Sequence, residues 1–137
     1  MLAAIFLAAS VPIVPAGEKF TCTAISVWDG DGPIWCAEGP RIRLHGIAAR
    51  EMDGSCRPGH PCPSKSGVQA RDHLVELLGG SRGATPDGHI VISAKLTCRS
   101  YGSGKGKRTA ASCSVTGVGD LSQAMIRDGY AARWTYR

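Results

Sequence analysis

A strand-like segment at residues 41–47, placed shortly after the turn Asp29-Gly-Asp-Gly32, most restricts what this chain can fold into. In it, polar or basic residues alternate with Ile42 and Leu44, the period of two that is typical of a strand with one buried face. Asp-Gly dipeptides between two apolar runs favour a tight hairpin with a carboxylate at its tip. A carboxylate turn, a basic strand and the following Glu51 together suggest a site for a phosphate group and a hard cation.

The rest of the chain continues the pattern of short strands. Alternating apolar residues predict five strands, at residues 19–28, 33–37, 41–47, 89–98 and 108–115. A helix is predicted from the capping-box spacing Ser66-Gly-Val-Gln69 to Gly79, and a shorter one between Asp120 and Gly129. Residues 50–65, rich in glycine, proline and cysteine, are predicted to form a loop. This order of elements is compatible with a mainly β protein with two helices, built on a small five-stranded barrel.

Six cysteines in a chain of 137 residues favour disulfides formed in an oxidising compartment. Their spacing suggests local pairs, each closing a hairpin or tight loop: Cys22 with Cys36, Cys56 with Cys62, and Cys98 with Cys113. Zinc binding by Cys56, His60 and Cys62 is the alternative, although a second cysteine or histidine pair at ligand spacing is missing.

The first sixteen residues are uncharged and mostly apolar, and they end in Val14-Pro-Ala16. This pattern predicts a secretory signal segment at 1–16, followed by a single domain at 17–137 that is exported to the periplasm or secreted. An uncleaved anchor is the alternative. The segment is shorter than the roughly 20 residues of a membrane-spanning helix, so no stable membrane insertion is expected after processing.

The net charge of +5 and the pI of about 9.1 indicate an affinity for polyanions such as DNA or RNA. A basic surface that only confers solubility is the alternative. A monomer is expected.

Four segments, in the family's own order, resemble the staphylococcal-nuclease-like, or thermonuclease, family. Val27-Trp-Asp-Gly-Asp-Gly32 is similar to its DGDT turn, and Arg43-Leu-His-Gly-Ile-Ala-Ala-Arg-Glu51 to its RLxGIDAPE strand end. The segment from Tyr101 to Ala111 resembles the family's YGRxxA motif with about five extra residues, and residues 121–131 resemble its closing helix. The resemblance covers roughly residues 19–136 and implies the oligonucleotide-binding (OB-fold) barrel of the staphylococcal nuclease type.

The resemblance also implies a metal-dependent phosphodiester hydrolase that uses Ca²⁺. It assigns Asp31 as a metal ligand, Glu51 as the general base, and Arg43 and Arg108 as phosphate clamps. Arginine suits that role because its planar fork donates two hydrogen bonds while staying charged. Each residue also has a purely structural alternative: Asp31 in its turn, Glu51 paired with the adjacent Arg50, and the two arginines as surface cations.

The sequence departs from the family at the cation site. Ala48 stands where the family has a metal-binding aspartate, and Gly32 stands where it has threonine. A methyl group cannot coordinate calcium, so Asp29, Asp53 or water would have to replace the missing ligand, with weaker binding or another cation. Two functions therefore remain: a divalent-cation nuclease with an altered site, or a nuclease-like barrel that binds nucleic acid or another anionic partner without cleaving it.

A glycine-rich, basic hairpin tip at residues 100–107 is a further candidate for nucleic-acid binding. We predict contacts to the phosphate backbone through Tyr101, Lys105 and Lys107. The alternative is an exposed, mobile turn with solubilising lysines.

Overall fold

The computed structural model describes residues 10–135. Eight strands and two helices follow in the order β1 (Lys19–Val27), β2 (Ile34–Cys36), β3 (Arg41–Leu44), β4 (Ile47–Ala48), α1 (Gly67–Leu77), β5 (Ile90–Ser103), β6 (Thr109–Val115), β7 (Gly119–Asp120), α2 (Leu121–Arg127) and β8 (Ala132–Arg133). Neither helix in this described range is long and apolar enough to cross a membrane.

Five strands form a closed barrel. β1 pairs in the antiparallel sense with β2 and β5, β2 pairs with β3, and β5 pairs with β6. A parallel pairing of β3 with β6, which sets Ile42 opposite Thr109 and Leu44 opposite Ala111, joins the two ends of the sheet. The prediction of a mainly β, five-stranded, OB-like barrel with two helices is therefore confirmed.

The barrel interior is filled from alternate strand positions, as the period-two pattern predicts. Val27, Ile34, Ile42 and Leu96 are fully buried there. Both helices add their apolar faces to the same core, α1 through Leu74 and α2 through Leu121 and Met125. The capping box of α1 is confirmed, because the Ser66 hydroxyl accepts the Gln69 N–H at 3.0 Å and the Gln69 side chain accepts the Ser66 N–H at 2.9 Å.

The third predicted strand is interrupted. It ends at Leu44, Gly46 turns the chain with φ of +81°, and the short β4 that follows pairs with β8 outside the barrel sheet. β5 instead runs further than predicted, to Ser103, because its pairing with β6 resumes beyond an irregularity between Ser100 and Ser103.

All three predicted disulfides are confirmed. Cys22–Cys36 links β1 to β2, Cys98–Cys113 joins directly opposed residues of β5 and β6, and Cys56–Cys62 closes a short loop before α1. Since Cys56 and Cys62 are bonded to each other, the alternative zinc site with His60 is not formed.

Of the predicted signal segment, residues 1–9 lie outside the described residues. Its last part runs against the barrel. Val14 donates its N–H to the Thr109 hydroxyl at 3.1 Å, and its carbonyl accepts a hydrogen bond from the Ser100 hydroxyl at 2.7 Å. These contacts cover Thr109, which is fully buried.

Candidate functional site

An ion pair between Arg43 and Asp31 lies at one end of the barrel. The Arg43 guanidinium is 3.5 Å from the Asp31 carboxylate, and both residues are buried. Arg43 also donates to the backbone carbonyls of Leu44 and Ile47, and Asp31 accepts the N–H of Ala49 at 3.3 Å. The β1–β2 turn and the end of β3 are therefore joined at the position where the sequence predicts a phosphate site.

Asp29, in the same turn, is buried beside Asp31, and its carboxylate accepts the Asp31 N–H at 3.2 Å. Burial, followed by the negative charge of Asp31 and a weaker contribution from Glu51, raises the pKa of Asp29 from 3.8 to about 9. At neutral pH the Asp29 carboxyl is therefore protonated.

The backbone at position 32, where the resembled family has threonine, favours glycine. Its φ is +113°, and a Cβ at this position would collide with the carbonyl oxygen of Ile42. A threonine would therefore be strained here and would push β3 away from the turn.

Glu51 sits at the edge of this end and pairs with Arg57, which the sequence analysis did not identify. The Arg57 Nε is 3.0 Å from a Glu51 oxygen, and the two side chains are 47% and 31% exposed. The adjacent Arg50, expected as an alternative partner, instead donates to the carbonyls of Pro63 and Gly54 and holds the loop in place. The position of Arg57, directly after Cys56 in a loop closed by a disulfide, is the sequence signal that could have revealed it.

A surface depression of about 570 Å³ lies next to these pairs. We call it the His60 depression, and its lining consists of Pro58, Gly59, His60, Lys105, Arg133, Trp134 and Thr135. The His60 and Trp134 rings are stacked at 3.9 Å, and the Arg43 guanidinium lies 5.5 Å from the Trp134 ring. A cationic and aromatic lining of this kind suits a phosphate that carries a planar base.

Four charged side chains at this end act on His60. Partial burial, then the positive charges of Arg43 and Arg57, lower the pKa of His60, and the carboxylates of Asp31 and Glu51 oppose them. The structure thus brings together three of the four residues predicted for chemistry, Asp31, Arg43 and Glu51, and adds Arg57, His60 and Trp134.

Arg108, the fourth, lies in the hairpin before β6. Its Nε donates to the Lys105 carbonyl at 3.0 Å, and its side chain lines a second depression, together with Trp35 and Arg41. Arg108 therefore lines a different depression from the His60 depression.

The three residues predicted to bind nucleic acid lie on the surface near this end. Tyr101 is 50% exposed and stacks on His45 at 3.7 Å. Lys105 and Lys107 are exposed at the hairpin tip, where both adopt left-handed backbone angles, with φ of +67° and +64°. Lys105 alone of the three also lines the His60 depression.

The side chains at this end do not fit a calcium ion held by several protein carboxylates. Ala48 is buried and offers no side-chain oxygen, and the Asp31 carboxylate already accepts the Ala49 N–H and pairs with Arg43. Asp53 lies outside the group and accepts the Ser55 N–H. Within residues 10–135, no three acidic, histidine or cysteine side chains are grouped so that they could hold a metal ion. The cation implied by the resemblance stays a prediction.

No family model matches this sequence, and no curated protein matches it.

The raised pKa of Asp29 predicts how stability depends on pH. Between about pH 4 and pH 9 the folded protein binds a proton at Asp29 that the unfolded chain has released, so the free energy of unfolding falls as pH rises through this window. We expect Asp29→Asn, which keeps an oxygen to accept the Asp31 N–H, to remove this fall and to be the more stable protein at pH 8 by more than about 1 kcal/mol.

Urea unfolding at several pH values between 5 and 9 measures the effect. Asp53→Asn is the matched control, since Asp53 is exposed, and this variant should keep the wild-type slope. An unchanged slope in Asp29→Asn would show that Asp29 is ionised in the folded protein.

Proposed function

We propose that this protein is a nuclease-like barrel that binds single-stranded nucleic acid at the His60 depression and hydrolyses its phosphodiester bonds beside Glu51. The observation that carries the proposal is that two ion pairs, Asp31 with Arg43 and Glu51 with Arg57, lie close enough to the depression for all four charges to act on its lining residue His60. Asp31 comes from the β1–β2 turn, Arg43 from β3, and Glu51 and Arg57 from the loop before α1, so the fold brings three segments together.

The roles of the two exposed partners follow from what each group can do. Glu51 has one oxygen near the Arg57 Nε, and its second oxygen can accept a proton from an attacking water. Arg57 is about half exposed, so its guanidinium can reach a phosphate that arrives from solvent. Arg43 is buried, so it adds positive charge beneath the site and fixes the backbone around it.

A second function, binding without hydrolysis, is favoured by two observations. Ala48 supplies no ligand for the cation that the resemblance implies, and the Glu51 carboxylate is partly engaged by Arg57. The same surface would then hold a strand without cleaving it.

Cleavage assays with Glu51→Gln separate the two functions. Wild-type protein is incubated with single-stranded DNA and RNA in calcium, magnesium, manganese or a chelator. If Glu51 is the base, cleavage in Glu51→Gln falls by about 10²–10⁴-fold while binding is kept.

The matched control is Glu76→Gln, a change at a carboxylate 81% exposed on α1, which should leave the rate unchanged. Cleavage that persists unchanged in Glu51→Gln contradicts the role of Glu51 as the base, whether another group of this protein or a contaminating enzyme is responsible. Binding by the wild type with no cleavage in any of the four conditions supports the second function.

Arg57→Gln tests the phosphate contact in either case. Removing one phosphate contact should lower the slope of log binding constant against log salt by about 0.7 for a single strand. Fluorescence anisotropy with a labelled oligonucleotide at several salt concentrations measures this slope. Arg127→Gln, a change of the same charge on α2, should keep the wild-type slope, and a loss of slope in both variants would mean that only total charge matters.

Export is proposed on the apolar segment 1–16 together with the three disulfides, which form in oxidising compartments. Under this proposal the protein is periplasmic or secreted. N-terminal sequencing of protein recovered from those fractions should start at Gly17, and recovery of the chain with Met1 intact would contradict cleavage.

A further inference from the structure

A second depression, of about 350 Å³, lies where the β1–β2 hairpin and the start of β3 meet the segments that precede β5 and β6. We call it the tryptophan depression, and its main lining residues are Trp28, Trp35, Arg41, Asp87, His89 and Arg108. The His89 ring contacts both indoles, with centroids 5.1 Å from Trp28 and 4.8 Å from Trp35. Trp28 keeps 37% of its surface exposed, so the depression offers an accessible aromatic ring.

The charges of this depression select the kind of ligand. The Arg41 guanidinium lies over the Trp35 ring at 4.2 Å, and Arg108 lines the same hollow. The single carboxylate, Asp87, is 3.7 Å from His89. Two guanidinium groups against one carboxylate disfavour a cationic ligand and favour an anion, and the aromatic rings favour a ligand with a planar face.

Two buried ring nitrogens belong to the lining residues. Trp35 Nε1 and His89 Nδ1 have no hydrogen-bond partner among the residues that the structure describes. Buried polar atoms are usually paired, and leaving them unpaired lowers stability. Packing alone therefore does not explain why Trp35 and His89 are placed together, and a role in ligand binding agrees with this arrangement.

One hairpin connects this depression with the His60 depression. Lys105 lines the His60 depression, while Gly106 and Arg108 line the tryptophan depression. The Arg108 Nε bonds to the Lys105 carbonyl across the same turn. A strand lying along this hairpin would meet cationic groups on both sides of it.

We propose that the tryptophan depression is a second nucleotide-binding site, in which a base stacks on Trp28 and the phosphate is bound by Arg41 and Arg108. The ligand class is a nucleotide within single-stranded nucleic acid. That the nucleotide belongs to a nucleic-acid strand rests on the proposed function, whereas the binding of a phosphate ester with a planar ring is inferred from this depression alone. The site also gives Arg108 a binding role away from Glu51.

The test follows the indole N–H signals of the protein by two-dimensional nitrogen–proton NMR during titration with thymidine 5′-monophosphate. The signals of Trp28 and Trp35, assigned from Trp28→Phe and Trp35→Phe, should shift with a common dissociation constant. Because base stacking and phosphate contacts each contribute to affinity, Arg41→Gln and Arg108→Gln should each weaken the binding by about tenfold. Arg127→Gln, whose side chain is 64% exposed on α2, is the matched control and should bind as the wild type does.

Three results would overturn the inference: no shift of either indole signal at millimolar nucleotide, a dissociation constant unchanged in both arginine variants, or an equal response to a neutral disaccharide. The experiment also separates this inference from the proposed function. If the Trp28 signal shifts but the protein cleaves no strand, the second site is supported and hydrolysis is rejected. If cleavage depends on Glu51 but neither indole signal shifts, hydrolysis is supported and the second site is rejected.

Discussion

The buried ion pair of Arg43 and Asp31 is the interaction on which this end of the molecule depends. Arg43 belongs to β3, which pairs with β2 on one side and β6 on the other, and its guanidinium also binds the carbonyls of Leu44 and Ile47. Removing one partner of such a pair leaves an uncompensated buried charge, which costs about 3–5 kcal/mol. The same contacts therefore hold the chain's bend after β3 and place Glu51, which follows it.

The site differs from the one implied by the resemblance in a consistent way. Positive charge comes from Arg57, on a loop closed by Cys56–Cys62, while Arg108 lies with the tryptophans. Negative charge is reduced twice, by the methyl group at Ala48 and by the raised pKa of Asp29. Both changes make this end more suited to holding an anion than to concentrating carboxylates around a cation.

Local features of the structure could be predicted from the sequence, because period-two patterns, the Ser66 capping box and closely spaced cysteines each act over a few residues. The pairing of β3 with β6 and that of β4 with β8 could not be predicted, because the alternation of residues within a strand does not indicate which other strand it pairs with. Arg57 and Trp134 were missed for a related reason. They lie in irregular segments, where no periodicity predicts the direction of a side chain, and apart from the position of Arg57 next to Cys56 the sequence carries no signal for their contacts with Glu51 and Arg43.

The positions of the disulfides bear on how the chain folds. Each one closes a short segment, with sequence separations of 14, 6 and 15 residues, and none spans the junction of β3 with β6. Cross-links of this kind remove entropy from local loops and leave the closure of long ones untouched. Oxidation can therefore finish on separate hairpins while the barrel is still open, and no disulfide links the barrel strands that pair over the longest distances along the chain, β1 with β5 and β3 with β6.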